Sequence, residues 1–379
     1  MEDNQKDVIK RLYELVAINS QTLHGNEEII NLLESWFGDY EHSVEEWVRD
    51  VDEVKGKNLV VKIPGYRSDH SIVFVCHMDT VPTSSAWETD PFNLEEIEGN
   101  LYGLGTCDTK GGVAALIEAV FTLPDKPNFD TYILFDGDEE EFSTGALKFK
   151  KKMHFKNPHF IFLEPTDGQL HIAQRGLLKF NIITHGTATH ASQATPLKNA
   201  KGNAIYKMGK IIELLSEDAE VVAKEEDSYM GSNTQNFGVI SGGTARNVFA
   251  DKATLTIDRR LLPTRDPRKE FERLKELIVS KISDTDVLLE DTEPSFSTSE
   301  NSEFVQKVLK YYRKVIPTSS IAAFPAWSEA GLFREYGDVV IMGPGSLAGQ
   351  AHKANEFVSA QDLFHFVHIF QNIMREIRL

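Results

Sequence analysis

Cysteine is scarce in this chain: Cys76 and Cys107 are its two, in 379 residues. Two thiols cannot build a disulfide framework, and such low usage fits a reducing compartment. Basic residues also run short, with 40 Lys and Arg against 58 Asp and Glu and a formal net charge of −18. Nucleic-acid binding needs a surplus of cations on one face, so this balance argues against a nucleic-acid partner. It tolerates a small cationic substrate or divalent cations, and a merely solubilising acidic surface fits it equally well. No apolar run approaches membrane-spanning length, and the opening MEDNQKDV has neither the basic start nor the apolar stretch of a secretory signal. A cytoplasmic protein without a membrane partner is expected. Internal repeats and low-complexity segments are missing too.

What is present is a chain longer than one typical domain, with hydrophobic and charged fractions of 41% and 26% that are ordinary for a globular protein. Two domains are expected. Val8, Leu12, Leu15 and Val16 fall at helical spacing, and a second helix carries Ile29, Ile30, Leu33 and Phe37, with Asn26 placed to cap it and Gly38 to stop it. Leu59 to Ile63 and Ile72 to Cys76 are short, nearly continuous apolar runs, the pattern of strands buried on both faces. A helix over Lys110 to Leu123, a strand over Tyr132 to Phe135, a helix over Ser143 to Lys151 and a strand over Phe160 to Leu163 follow. That alternation predicts an α/β layer with a central, mostly parallel sheet flanked by helices.

Near residue 176 the texture changes. Leu178 to Thr184 alternates like a half-exposed strand, Ala200 to Leu215 is helical, Phe237 to Ile240 and Ala253 to Leu261 are strand-like, and a helix runs from about Pro267 to Ile282. These describe an inserted α+β domain over 176–290. The flanking segments 1–175 and 291–379 then form one domain, closed by helices through Phe304 to Val315 and Leu363 to Met374.

Acidic residues and histidines recur where these strands end. Val75-Cys76-His77-Met78-Asp79 finishes an apolar strand in His-x-Asp, which displays His77 at a sheet edge with a carboxylate able to fix its tautomer. The turn Gly103-Leu104-Gly105-Thr106-Cys107-Asp108-Thr109-Lys110-Gly111-Gly112 holds Asp108 in constrained backbone, where its two oxygens could reach two cations. A phosphate loop is the rival reading. It fails on spacing, and an aspartate at its centre would repel the anion. Asp136-Gly137-Asp138-Glu139-Glu140-Glu141 follows another buried strand, at the edge where α/β proteins bind ligands. Glu164 in Phe162-Leu163-Glu164-Pro165 repeats the arrangement, and a Gly/Pro-punctuated loop from Gly343 carries His352. Mixed imidazole and carboxylate donors suit zinc, with cobalt or manganese as relatives, and two such ions can share a bridging water. Cys76 and Cys107 are not read as ligands, because neighbours on a strand face opposite ways and a free cysteine packs as a small hydrophobe.

In this order, His-x-Asp, Gly-x-x-Asp, Asp-Glu-Glu, Glu-Pro and a late His, the chain resembles the M20 metallopeptidase and deacylase family from His77 to His352. Position by position, the resemblance implies one metal on His77 and Glu164, a second on Glu140 and His352, and Asp108 bridging both. It implies Glu139 as general base and Asp79 as the residue that orients His77, with Glu140 and Glu141 an alternative register for the glutamate pair. It further implies that the insertion is a ferredoxin-like dimerisation or lid domain of a homodimer. There His190 in Thr187-Ala188-Thr189-His190 helps polarise the substrate carbonyl from the partner subunit, while Asn247 and Arg260 (or Arg259) contact substrate.

The reaction implied is hydrolysis of an amide in a small-molecule N-acyl amino acid. The late segment Trp327-Ser328-Glu329-Ala330 through His352 is more similar to members acting on N-acetylornithine than to those that desuccinylate diaminopimelate. A desuccinylase, a dipeptidase or other aminoacylase, and a non-catalytic binder of amino-acid derivatives are the remaining readings.

Overall fold

The computed structural model describes residues 2–379, with side chains from Lys6 onward except at position 200. Two compact units result. One holds the residues up to Ile172 together with Ser297–Phe324 and Ser328–Leu379; the other holds Ala173–Phe296 and Pro325–Trp327.

In the larger unit the apolar runs become strands in one sheet, ordered 41–48, 55–63, 129–136, 67–77, 158–162, 339–341 and 170–174. Arg67–His77 lies parallel to both Phe129–Asp136 and Pro158–Phe162, and Val339–Ile341 extends the parallel set. The flanks are antiparallel: Glu41–Val48 on Lys55–Ile63, and that strand on Phe129–Asp136. The mostly parallel centre follows from runs such as Ile72, Val73, Phe74, Val75 and Cys76, all buried, which leave no face for water.

Helices cover those faces. Glu2–Val16, Lys110–Phe121, Glu303–Val315 and Ala360–Glu376 pack on one another, while Glu27–Trp36 lies on Lys55–Ile63. Val8, Leu12, Leu15 and Val16 are fully buried, each contributing about 1.5–3 kcal/mol by leaving water. Cys76 belongs to this core. Asn26 does not cap its helix: its side chain makes no cap bond and instead binds the N–H and C=O of Lys57 and the C=O of Asp136. The buried main chain at those strand ends offers it a better-desolvated set of partners.

Because successive strands leave the centre in opposite directions, Phe129–Asp136 to one side of Arg67–His77 and Pro158–Phe162 to the other, the sheet has a switch point, and loops diverge there at the carboxyl edge. His77 is the last residue of its strand, Asp136 the last of another, and Glu164 stands two past a third.

The smaller unit is a four-stranded antiparallel sheet, ordered 234–242, 252–261, 176–185 and 285–293, with the helices Ala204–Val222 and Pro267–Lys281 packed on it. Chain order strand–helix–strand–strand–helix–strand with this pairing is the ferredoxin-like split arrangement. Leu178, Phe180 and Ile182 alternate inward against Met208, Ile211, Leu215, Phe271, Leu274 and Ile278. The helix expected from Ala200 to Leu215 is two, Pro196–Gly202 and Ala204–Val222. Asn203 divides them, since its backbone is extended and its side chain accepts from the N–H groups of Ile205 and Tyr206 to start the second helix.

Candidate active site

The loops leaving the parallel strands bring five distant side chains together. His77, Asp108 and Glu164 each offer a donor atom within 4.8 Å of the others, and so do Asp108, Glu140 and His352. Asp108 belongs to both groups: its Oδ1 lies 3.1 Å from His77 Nε2 and its Oδ2 3.3 Å from His352 Nε2. His352 Nε2 is also 3.0 Å from Glu140 Oε2. Glu139 is buried, and Glu141 is exposed.

Asp108 reaches this position from a tight turn. Gly105 has a φ of +78, and a Cβ there would lie 2.8 Å from Thr80 Cγ2. Asp79 faces His77 through both its main-chain and its side-chain oxygens. His77 Nδ1 is 3.1 Å from the main-chain oxygen of Asp79 and 3.7 Å from its Oδ1, so the carbonyl sets the tautomer, leaving Nε2 toward Asp108. The Asp79 carboxylate oxygens also accept from the N–H groups of Glu139 and Glu140, at 3.2 and 3.1 Å. One side chain thus ties the His77 strand to the glutamate loop.

Four carboxylates, of Asp108, Glu139, Glu140 and Glu164, crowd against the imidazoles of His77 and His352. Burial raises the pKa values of Glu139, Glu140 and Glu164, and neighbouring carboxylates add to the rise. Asp108 is buried too, but its contacts to the two rings outweigh desolvation and hold it low. The same contacts push His352 up to about 11. Burial opposes the His77 cation, yet the Asp108 and Asp79 carboxylates prevail and hold its pKa well above the ordinary histidine value. Such excess negative charge, on hard oxygen donors mixed with imidazole, fits divalent cations.

The carboxyl edge holds further buried polar groups. Asp136 and Glu329 are both buried, and burial raises the pKa of each. Arg49, fully buried, binds Asp138 at 2.7 Å. Glu356 binds the Asp108 turn. Arg49 and Glu356 have no local signature, since their partners are far off in sequence.

The remaining expected residues lie on the smaller unit. His190 and Asn247 are exposed neighbours, the Asn247 C=O accepting from the N–H of Ala191. His190 Nδ1 faces Ser192 Oγ at 2.8 Å and accepts from the Ser192 N–H, which leaves Nε2 as the protonated nitrogen of the neutral ring. Arg259 is fully buried, held by Asp218 and Glu270. Arg260 is half-buried and paired with Asp258. Arg260 is not near His190 within the unit. The bridge from His190 to Val248 sits beyond the Lys252 end of Lys252–Leu261, and eight residues of strand at about 3.3 Å each separate Lys252 from Arg260.

An α/β sheet whose carboxyl edge gathers two donor groups around one shared aspartate defines an enzyme with a candidate dinuclear metal centre. The chain belongs to peptidase family M20/M25/M40, whose sequence pattern matches residues 73–376. It is 30% identical over 355 residues to acetylornithine deacetylase of Proteus mirabilis, covering 90% of this chain and 88% of that one. Its fold is similar to aminopeptidase PepT of Bacillus cereus, with a TM-score of 0.77 at 23% identity, covering 98% of each chain. It also matches a dinuclear metal binding peptidase from the M20 family of Bacillus subtilis, with a TM-score of 0.71 at 14% identity over 100% of both chains. The protein is therefore a hydrolase acting on amides.

Proposed function

We propose that the chain removes the acyl group from an N-acyl amino acid, with N-acetylornithine the favoured substrate and a place in arginine biosynthesis in the cytoplasm. One observation carries the chemistry: Asp108 faces both His77 and His352, so two cation sites share a bridging carboxylate. The acetyl and ornithine parts are supported by the relatives that bear that name at about 30% identity.

His77 and Glu164 would hold one cation, Glu140 and His352 the other, and Asp108 both; zinc is favoured, with cobalt or manganese alternatives. When bound, the pair would supply Lewis acidity, lowering the pKa of a water held there toward neutrality and polarising the carbonyl oxygen. Glu139 takes the water's proton and delivers it to the departing nitrogen. Its burial and raised pKa suit a group that must both accept and release a proton near neutrality. His190, with its proton on Nε2, donates to the developing oxyanion, and Arg260 pairs with the substrate carboxylate, with Asn247 beside it.

A homodimer through the inserted unit is part of this reading. Arg260 and His190 of one chain are separated by most of a strand, so both can reach one small substrate only if one of them comes from a second copy. Val239 and Ile240, 64% and 59% exposed on the edge strand Thr234–Gly242, supply apolar surface for that contact. Acetate release from N-acetylornithine by the metal-loaded chain and by Glu139→Ala tests the proposal. Loss of at least 10²-fold is expected in the variant, and equal rates would remove Glu139 as the base.

A further inference from the structure

We propose that Glu356 is a positioning residue for the shared metal site, holding Asp108 where one carboxylate can face both histidines; this rests on the two-cation reading above. Glu356 is 2% exposed. Its Oε1 accepts from the N–H groups of Cys107 and Asp108, at 2.8 and 2.9 Å, and its Oε2 from that of Gly105, at 3.0 Å. One buried carboxylate therefore satisfies three amides of the turn that carries Asp108. Without this acceptor three buried N–H groups would stand unpaired.

Glu356 also lies four residues after His352, on a segment stitched to the same region. The N–H of Gly103 donates to the Glu356 C=O, Phe357 pairs with Tyr102, and Asn355 Oδ1 accepts from the N–H groups of Glu88 and Thr89. The side chain thus links the loop bearing one histidine to the turn bearing the aspartate. That link matters because Asp108 must satisfy two distances at once, 3.1 Å to His77 and 3.3 Å to His352. A shift of the turn lengthens at least one of them.

Cobalt titration of the metal-free chain, followed by the visible absorption of the bound ion, tests the proposal with the wild type, Glu356→Gln, Glu356→Asp and Glu356→Ala. Glutamine keeps the oxygen that serves Cys107 and Asp108, so its cobalt affinity should stay within about tenfold of wild type. Alanine removes all three acceptor contacts, and aspartate withdraws the carboxylate by one methylene; both should lose about 10–100-fold in cobalt affinity, with a changed band shape. At saturating cobalt, kcat should fall in Glu356→Ala with KM nearly unchanged. If Glu356→Ala does not fold, the comparison of Glu356→Asp with Glu356→Gln decides. Wild-type affinity and spectrum in the alanine variant, or in the aspartate variant if alanine does not fold, would overturn the proposal. If the wild type itself takes up no cobalt, the two-cation reading fails, and this proposal with it.

Discussion

Removing the Arg49 cation should show how far the glutamate loop depends on a buried ion pair. Arg49 and Asp138 side chains are 2% and 1% exposed, and Nη1 to Oδ1 is 2.7 Å. Asp138 immediately precedes Glu139, sits at a φ of +75, and takes a second bond from Thr144. Arg49→Met leaves the Asp138 carboxylate buried with that hydroxyl in place of a cation, so the expected cost is about 3–5 kcal/mol. That is a fifth or more of the roughly 5–15 kcal/mol that holds a typical domain. Asp138→Asn in the same background removes the stranded charge and should return about 0.5–3 kcal/mol of it. Urea unfolding followed by tryptophan fluorescence reports both, with Trp47 two residues from the site. Hydrolysis should fall further than stability alone explains, because a shift of about 1 Å in Glu139 costs on the order of 10²-fold. If Arg49→Met unfolds within about 1 kcal/mol of wild type and keeps its kcat, the pair does not organise this loop.

Three other outcomes are expected. His171, 6% exposed and 5.5 Å from the Phe324 ring, has its pKa lowered by burial from 6.5 to about 4. The unfolded chain therefore binds the extra proton between those values, so stability falls as pH drops from 6.5 toward 4, by about 2 kcal/mol at pH 5 for this group; a His171 ring resonance titrating near 6.5 in the folded protein would contradict it. Chelation should lower the melting temperature of the metal-loaded enzyme, since an ion at 100 times its Kd adds about 2.7 kcal/mol, or roughly 5–10 °C; identical melts with and without chelator would count against bound cations. Gly137→Ala should cost about 1–3 kcal/mol by urea unfolding, because the new methyl would lie 2.4 Å from Asn26 Nδ2, itself fixed by Lys57 and Asp136; an unchanged midpoint would show that Asn26 can move.

The parts of this molecule that were legible in its sequence are those written locally. His77, Asp136 and Glu164 stand at or just past the ends of apolar runs, and the same runs announced the parallel strands. The glycines around Asp108 announced its turn. Long-range partnerships left no such trace: Glu356 meets amides some 250 residues away, and Arg49 meets Asp138 across 89 residues. Glu41–Val48 escaped notice because it is a charged edge strand with only Trp47 buried. The break at Asn203 was hidden by helical residues on both sides, and main-chain groups, such as the Asp79 carbonyl on His77, carry no residue-type signal at all.

The most direct measurement of the two-cation account is a crystal structure of the zinc-loaded protein with anomalous data at the zinc edge. Two peaks are expected, one among His77, Asp108 and Glu164 and one among Asp108, Glu140 and His352, with Asp108 touching both. No anomalous density in either cluster, or a single ion bound without Asp108, would contradict it.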